Sequence, residues 1–267
     1  MLKVKSSPTT PGSPASLFYA DSKIALVLPG RHTPAASNVS ENQYRMTIRR
    51  LAALVLLAAP LSLSAQVKPG ELDQALRQMD TASARFKSAE ADFQWDFYEL
   101  VVKETTTQHG NIFFKKNGAK LEMGAKILPP AAKFLSYKDG KLALFDPGTK
   151  DLKVYTAGQN KAQYESFLTL GFGGSGSDLA KAWTITDLGV ESLPEGSATI
   201  STTKLDLVSK DPNVRNMFSH VVIWVDLNRG ISLKQQFFTP SGDYRIATYA
   251  NIRYNQPVNT KPYEYKK

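Results

Sequence analysis

Phe93-Gln94-Trp95-Asp96-Phe97 places three large aromatic side chains at every second position, with polar residues between them. A period of two marks a strand with one buried face and one wet face. The same period returns in Ile112 and Phe114 against Phe113 and Lys115, and in Leu121 and Met123 against Glu122. Further apolar runs follow at 142–145, 152–155, 205–208, 221–225, 231–238, 244–249 and 252–254. Short turn signals separate several of them: Asn117-Gly118, Asp139-Gly140, Asp146-Pro147-Gly148, Asn228-Arg229-Gly230 and Ser241-Gly242-Asp243. Turns of that length join neighbouring antiparallel strands. Roughly ten strands in meander order predict a mainly β (α+β) chain, an unclosed and strongly curved antiparallel β-barrel.

Two stretches break the period. Leu72, Leu76, Met79, Ala82 and Phe86 recur at helical spacing behind Pro69-Gly70, which predicts an N-terminal amphipathic helix. Residues 160–187 do not alternate either. Within them Tyr164, Phe167, Leu168 and Phe172 fall on one side of a short helix, 171–177 reads as a flexible glycine hinge, and 178–183 as a second helical turn. An insertion halfway through a meander would lie, with the N-terminal helix, over the open face of the sheet as a lid.

The front of the chain has a different character. Met46-Thr47-Ile48-Arg49-Arg50, the apolar run 51–59, Pro60 and the small residues Ser62, Ser64 and Ala65 supply the charged, apolar and small-residue parts of a secretory signal peptide. The run falls short of the about 20 apolar residues a spanning helix needs. The expected division is therefore a leader at 1–45 that is non-native or disordered by composition, a signal peptide at 46–65, and one domain at 66–267. The whole chain carries 33 basic and 24 acidic residues, a net +9. Seven of those basic residues and two of the acids lie in 1–65, which leaves 26 and 22 on the domain, a net +4. With its basic residues scattered, such a domain has no nucleic-acid footprint.

Chemistry has little to work with. The absence of Cys excludes disulfides, thiol catalysis, Cys-ligated metal and a lipid-modified cysteine. The domain's two histidines, His109 and His220, stand in no metal-ligand spacing. Gly171-Phe172-Gly173-Gly174-Ser175-Gly176 matches GxGxxG in letters, but it follows a helical segment rather than a strand opening a βαβ unit. Asp92 and Asp96 share one strand face, as an ordinary polar face would. No enzyme activity, metal or cofactor is expected.

What the domain has in supply is apolar surface, and two readings of it stay open. The helices fill the concavity as plain core, or the concavity is larger than its lid and admits an acyl chain, at about 0.8 kcal/mol per buried methylene. On the second reading the lining is Phe93, Trp95, Phe97, Ile112, Phe114, Leu121, Met123, Leu142 and Leu144, with Tyr164, Phe167, Leu168 and Phe172 from the lid.

Three short segments carry a resemblance. Ser88-Ala89-Glu90-Ala91-Asp92-Phe93 at the helix-to-strand entry, Gly110-Asn111-Ile112-Phe113-Phe114-Lys115-Lys116, and Asp139-Gly140-Lys141 through Leu144-Phe145-Asp146-Pro147 resemble motifs of the LolA-like outer-membrane lipoprotein carriers. The likeness extends in layout over residues 70–267. It implies a half-barrel under a helical lid, holding lipoprotein acyl chains in a soluble, monomeric periplasmic protein. Such a carrier receives lipoproteins from an inner-membrane lipoprotein-releasing transporter and gives them to an outer-membrane acceptor, catalysing nothing itself. In the family an Arg following the motif Lys hydrogen-bonds the lid shut; Lys116 stands at that position here, with Asn117 in place of the motif's Pro. Lys lacks the planar fork of Arg. A relative of the same fold that senses or binds without shuttling is the alternative.

Overall fold

A computed structural model describes residues 70–118, 120–156, 165, 168 and 170–265. The segments expected to be a leader (1–45) and a signal peptide (46–65), and the expected lid residues Tyr164 and Phe167, lie outside them.

The first helix, α1 (Glu71–Arg85), starts behind Gly70, whose φ of 115° sets the entry turn. It buries Ala75, Met79, Ala82 and Ser83, close to the face that the periodicity marks. Eleven strands follow: β1 (Ser88–Glu99), β2 (Glu104–Asn117), β3 (Lys120–Ile127), β4 (Lys133–Lys138), β5 (Lys141–Asp146), β6 (Asp151–Thr156), β7 (Trp183–Glu195), β8 (Ala198–Ser209), β9 (His220–Asp226), β10 (Ile231–Phe238) and β11 (Tyr244–Tyr254). Between them stand α2 (Gly176–Ala182) and the single turn α3 (Pro212–Arg215).

All eleven strands form one antiparallel sheet in the order β6-β5-β4-β3-β2-β1-β11-β10-β9-β8-β7. Two meanders are thus stitched together where β1 pairs with β11, Phe93 opposite Tyr249 and Phe97 opposite Arg245. The sheet curls without closing, and β6 and β7 remain its edges. Residues 157–175 therefore lead from one edge strand to the helix before the other. Turn chemistry sets the register locally. Asp139 and Gly140, with φ of 49° and 74°, are both left-handed, as a two-residue hairpin between β4 and β5 requires.

One face of the sheet carries the core, in two clusters. On the first half, Phe93, Trp95, Ile112, Phe114, Met123, Tyr137, Leu142 and Tyr249 pack together under Leu168 and Phe172. On the second half, Leu205, Leu207, Val221, Ile223 and Val225 pack under Met79 of α1 and Leu179 of α2.

Several expectations are corrected. β4 and β7 are absent from the runs read above, and the 244–249 and 252–254 runs are one strand, bent where Asn251 takes a φ of 52°. The helix placed at 178–183 runs from Gly176 to Ala182, and Trp183 already opens β7. Phe172 belongs to no helix. It makes an isolated bridge to Ile231.

Candidate functional site

The alternation places the aromatic and aliphatic candidates of β1, β2, β3 and β5 on one face. Phe93, Trp95, Ile112, Phe114, Leu121, Met123, Leu142 and Leu144 all belong to the first core cluster, with Phe97 half-buried at its margin. The face holds no bulge among these strands: β2 pairs with β3 in unbroken register from Gly110–Ile127 to Asn117–Lys120. Two glycines clear space for large rings. A Cβ on Gly110 would lie 2.5 Å from the tip of the Phe93 ring. One on Gly124 would lie 2.4 Å from Phe113.

Phe172 covers this face. Its ring stacks on Phe114 at 4.3 Å and 11°, and meets Tyr249 edge-on at 4.8 Å. The backbone on either side is tied down: Ser232 donates its N–H to the Gly171 carbonyl, Gly173 donates to the Gly230 carbonyl at 3.2 Å, and Ser83 Oγ donates to the Gly173 carbonyl at 2.7 Å. Gln235, itself accepting from the Tyr249 hydroxyl, donates to the Leu170 carbonyl. The glycine-rich stretch is therefore a packed clasp rather than a hinge. Gly171 and Gly173 are left-handed, and a Cβ on Gly173 would stand 2.3 Å from the Phe86 ring. A Cβ on Gly176 would stand 2.1 Å from the Leu76 carbonyl of α1. The letters that match a dinucleotide fingerprint serve close approach between α1, the clasp and β10.

The open space lies beside the aromatic face. A cavity of about 660 Å³ runs along the seam of α1, the clasp, α2 and the end of β8, lined among others by Met79, Phe86, Lys116, Leu121, Phe172 and Trp183. Its size falls within the about 300–1,000 Å³ typical of ligand sites. Of the nine strand residues proposed as cavity lining, Leu121 alone borders it, joined by Phe172 from the lid set and by Lys116. The other strand residues pack on one another because the clasp fills the space above them.

Lys116 points to the same side as Phe114, opposite Leu121 in the register, and its ammonium is exposed at the cavity rim. It makes no side-chain hydrogen bond to a described residue. Asp178 faces it across the rim. Hydrogen bonds from Lys181 and Ser175, with a smaller pull from Lys116, hold the Asp178 carboxyl below the usual range. The Trp183 indole N–H, also on the lining, is buried with no hydrogen-bond partner among the described residues. Glu165 completes that wall and accepts from the Tyr137 hydroxyl at 3.0 Å. Burial, then Glu165, pushes the Tyr137 hydroxyl up.

The polar candidates stand elsewhere. Asp92 accepts from Asn111 and Asn251, and Asp96 from Thr107 and Gln94, on the opposite, polar face. His220 Nδ1 lies 2.6 Å from Asp206 and stacks on Phe238 at 4.2 Å, also facing away from the core. His109, on β2, is not brought to it. Among the described residues no group of three or more His, Asp or Glu is placed to hold a metal. The sequence reading missed Arg245. Counting by twos back from Tyr249 and Ala247 places it on the inner face, and that parity was its only signal.

No family model and no curated protein matches the sequence. Among solved structures, the chain is similar to a LolA superfamily protein from Nitrosomonas europaea, at 13% identity and a TM-score of 0.36, over 73% of this chain and 97% of that one. It is similar to the Mycobacterium tuberculosis lipoprotein LppX at 13% identity and a TM-score of 0.40, over 72% and 99%. It is similar also to the Pseudomonas aeruginosa MucA/MucB complex at 12% identity and a TM-score of 0.46, over 73% of this chain and 61% of that one.

Proposed function

We propose that this chain is an exported, soluble carrier that shelters acyl chains of lipoproteins or lipids on the inner face of its half-barrel and moves them from inner to outer membrane. The observation that carries the reading is the cavity of about 660 Å³ at the α1–α2 seam, which abuts a continuous apolar face covered, among the described residues, by Phe172 and Leu168. An acyl chain entering there meets Met79, Phe86 and Leu121 first. Displacing the Phe172 ring from Phe114 then extends the site onto Ile112, Phe93 and Trp95 without breaking a strand ladder. Each methylene that leaves water contributes about 0.8 kcal/mol, so a chain of ordinary length offsets the lost ring stacking several times over.

The functional domain in this reading is residues 66–267, periplasmic, monomeric and without catalytic activity, with residues 46–65 as its export signal. Its partners would be an inner-membrane lipoprotein-releasing transporter and an outer-membrane acceptor. Lys116 takes the lid-closing position: its exposed side chain lines the cavity, within reach of whatever crosses the cavity mouth. Expression in a Gram-negative host followed by native mass spectrometry tests the reading. Co-purified acyl-bearing species, lost on Phe114→Asp in a variant that still folds, are expected. A protein that is ligand-free and takes up no acyl chain in vitro would sink it.

A second reading, a non-shuttling sensor or envelope interaction protein of the same fold, draws on one observation. The aromatic face is already packed by Phe172, as it would be in a domain that uses its fold as a platform. A stable protein partner captured without lipid would favour it.

A further inference from the structure

Arg245 sits on the inner face, and no described acidic residue neutralises it. In the β11 register it lies opposite Phe97 of β1 and opposite Phe237 of β10, on the same side as Ala247 and Tyr249. Its guanidinium is walled by aromatic rings, 4.6 Å from the Phe237 centroid, 5.5 Å from Trp95 and 5.7 Å from Phe97. No carboxylate among the described residues reaches it. Its Nε is buried with no hydrogen-bond partner among the described residues, and the ionisable neighbour that acts on it is the Tyr249 hydroxyl.

A cation in that position is costly. Ring quadrupoles return part of the lost hydration, but a guanidinium has five N–H donors in a fixed fork, and rings satisfy none of them as an oxyanion would. Burial lowers its pKa to about 10, which leaves it charged at neutral pH. A second partly buried arginine shows the contrast. Arg229 is bound by both Asp226 and Glu195. A fold that pairs one arginine so fully and leaves another unpaired on its apolar face keeps the second for something that arrives from outside.

The place suits a ligand. Arg245 and Phe97 are only partly buried, while Trp95 and Phe93, two and four residues deeper on β1, are buried. This is the end of the apolar face remote from Lys116. Along β1, eight residues separate Phe97 from Ala89, the residue opposite Phe114, or about 26 Å at strand rise. That exceeds the about 15 Å of hydrocarbon in one bilayer leaflet, so a single acyl chain running inward from Arg245 stays on the apolar face.

We propose that Arg245 is the headgroup anchor of this site, binding the carboxylate or phosphate of a single-chain acyl anion whose tail lies along Trp95, Phe93 and Ile112. The proposal rests on the carrier reading, deepening it by naming the charge of the ligand. The fork donates two parallel hydrogen bonds to the oxyanion, and the surrounding rings exclude competing water.

The test uses the purified full-length domain with three probes of matched chain length: palmitate, palmitoyl lysophosphatidate and the neutral monopalmitoylglycerol, with inorganic phosphate as competitor. The wild type is expected to bind both anions on the order of tenfold or more tightly than the neutral lipid, the scale of a charge-assisted hydrogen bond. Arg245→Met, which fills the same space without the charge, is expected to abolish that preference, bringing the affinity for both anions down to that for the neutral lipid. Arg245→Lys should restore part of the preference. Equal affinity for charged and neutral lipids overturns the proposal alone, and so does a charge preference that survives Arg245→Met. Displacement of the anions by millimolar phosphate alone also overturns it, since the site would then hold a free anion. Failure of all three lipids to bind overturns the carrier reading and the proposal together.

Discussion

At the residue scale, the glycines separate two costs that are usually confounded. Gly173 is left-handed and its missing Cβ makes room for Phe86, whereas Gly189 is left-handed with nothing within 4 Å of the Cβ position. Gly189→Ala should cost about 1–2 kcal/mol, the strain of an L-residue at positive φ. Gly173→Ala should cost at least about 1 kcal/mol more, because the Phe86 ring must also move. Urea denaturation of the two variants side by side checks the difference, and equal losses would mean that the clasp yields freely. Lys116 belongs to this scale too. With its side chain exposed and unbonded to any described residue, Lys116→Ala should leave the free energy of urea unfolding within about 0.5 kcal/mol of wild type. A larger loss would give Lys116 a structural duty.

At the element scale, the chain's last turn works as a strap. After β11 it folds back over the outer face, where the 3-10 turn Lys261–Tyr263 sets Tyr263 edge-on against Phe113 at 4.8 Å and Tyr265 stacks on Phe145 at 5.0 Å. This explains why Phe113 and Phe145, which alternation points away from the core, are buried. Ending the chain after Gln256 should uncover both rings and cost about 3 kcal/mol or more, read as a lower unfolding midpoint with increased binding of a hydrophobic dye. The strap also carries a titration. The Tyr263 hydroxyl donates to Glu90 at 2.6 Å, and burial, then Glu90, raises its pKa above the ordinary value. A group whose folded-state pKa is raised contributes stability that is whole below its unfolded value, about 10, and is lost as pH rises through the folded one. Stability should therefore fall as pH rises above about 10, less steeply in Tyr263→Phe. Identical pH slopes for the two proteins would contradict the assignment.

At the scale of the whole molecule, two antiparallel meanders share one seam, and their cores meet beneath α1, the clasp and α2. A ligand on the inner face of such a sheet stabilises it through mass action. An acyl ligand at about 100 times its dissociation constant should add about 2.7 kcal/mol. For a domain of this size that is a rise of roughly 5–10 °C in Tm. A neutral-headed lipid suffices for this measurement, which keeps it independent of Arg245. No shift at saturating lipid would favour the platform reading.

The sequence alone determined the strand faces of the first half-barrel. Phe93, Trp95, Ile112, Phe114, Leu121 and Met123 fall where alternation puts them, because a strand has a period of two and an uninterrupted register preserves it. It determined the β4–β5 turn for an equally local reason, since Asp139-Gly140 tolerates two left-handed residues in succession. β7 escaped because it is an edge strand: Leu188 and Val190 are exposed and Pro194 sits within it, so its pattern blurs where water replaces a neighbour. Only the tertiary structure decided what covers the apolar face. Phe172 reaches Phe114 through a clasp bonded to β10, some 60 residues further on, and Arg245 meets Trp95 across a seam between chain halves. Periodicity reports which way a side chain points. What it points at depends on contacts between distant segments, and no local pattern encodes them.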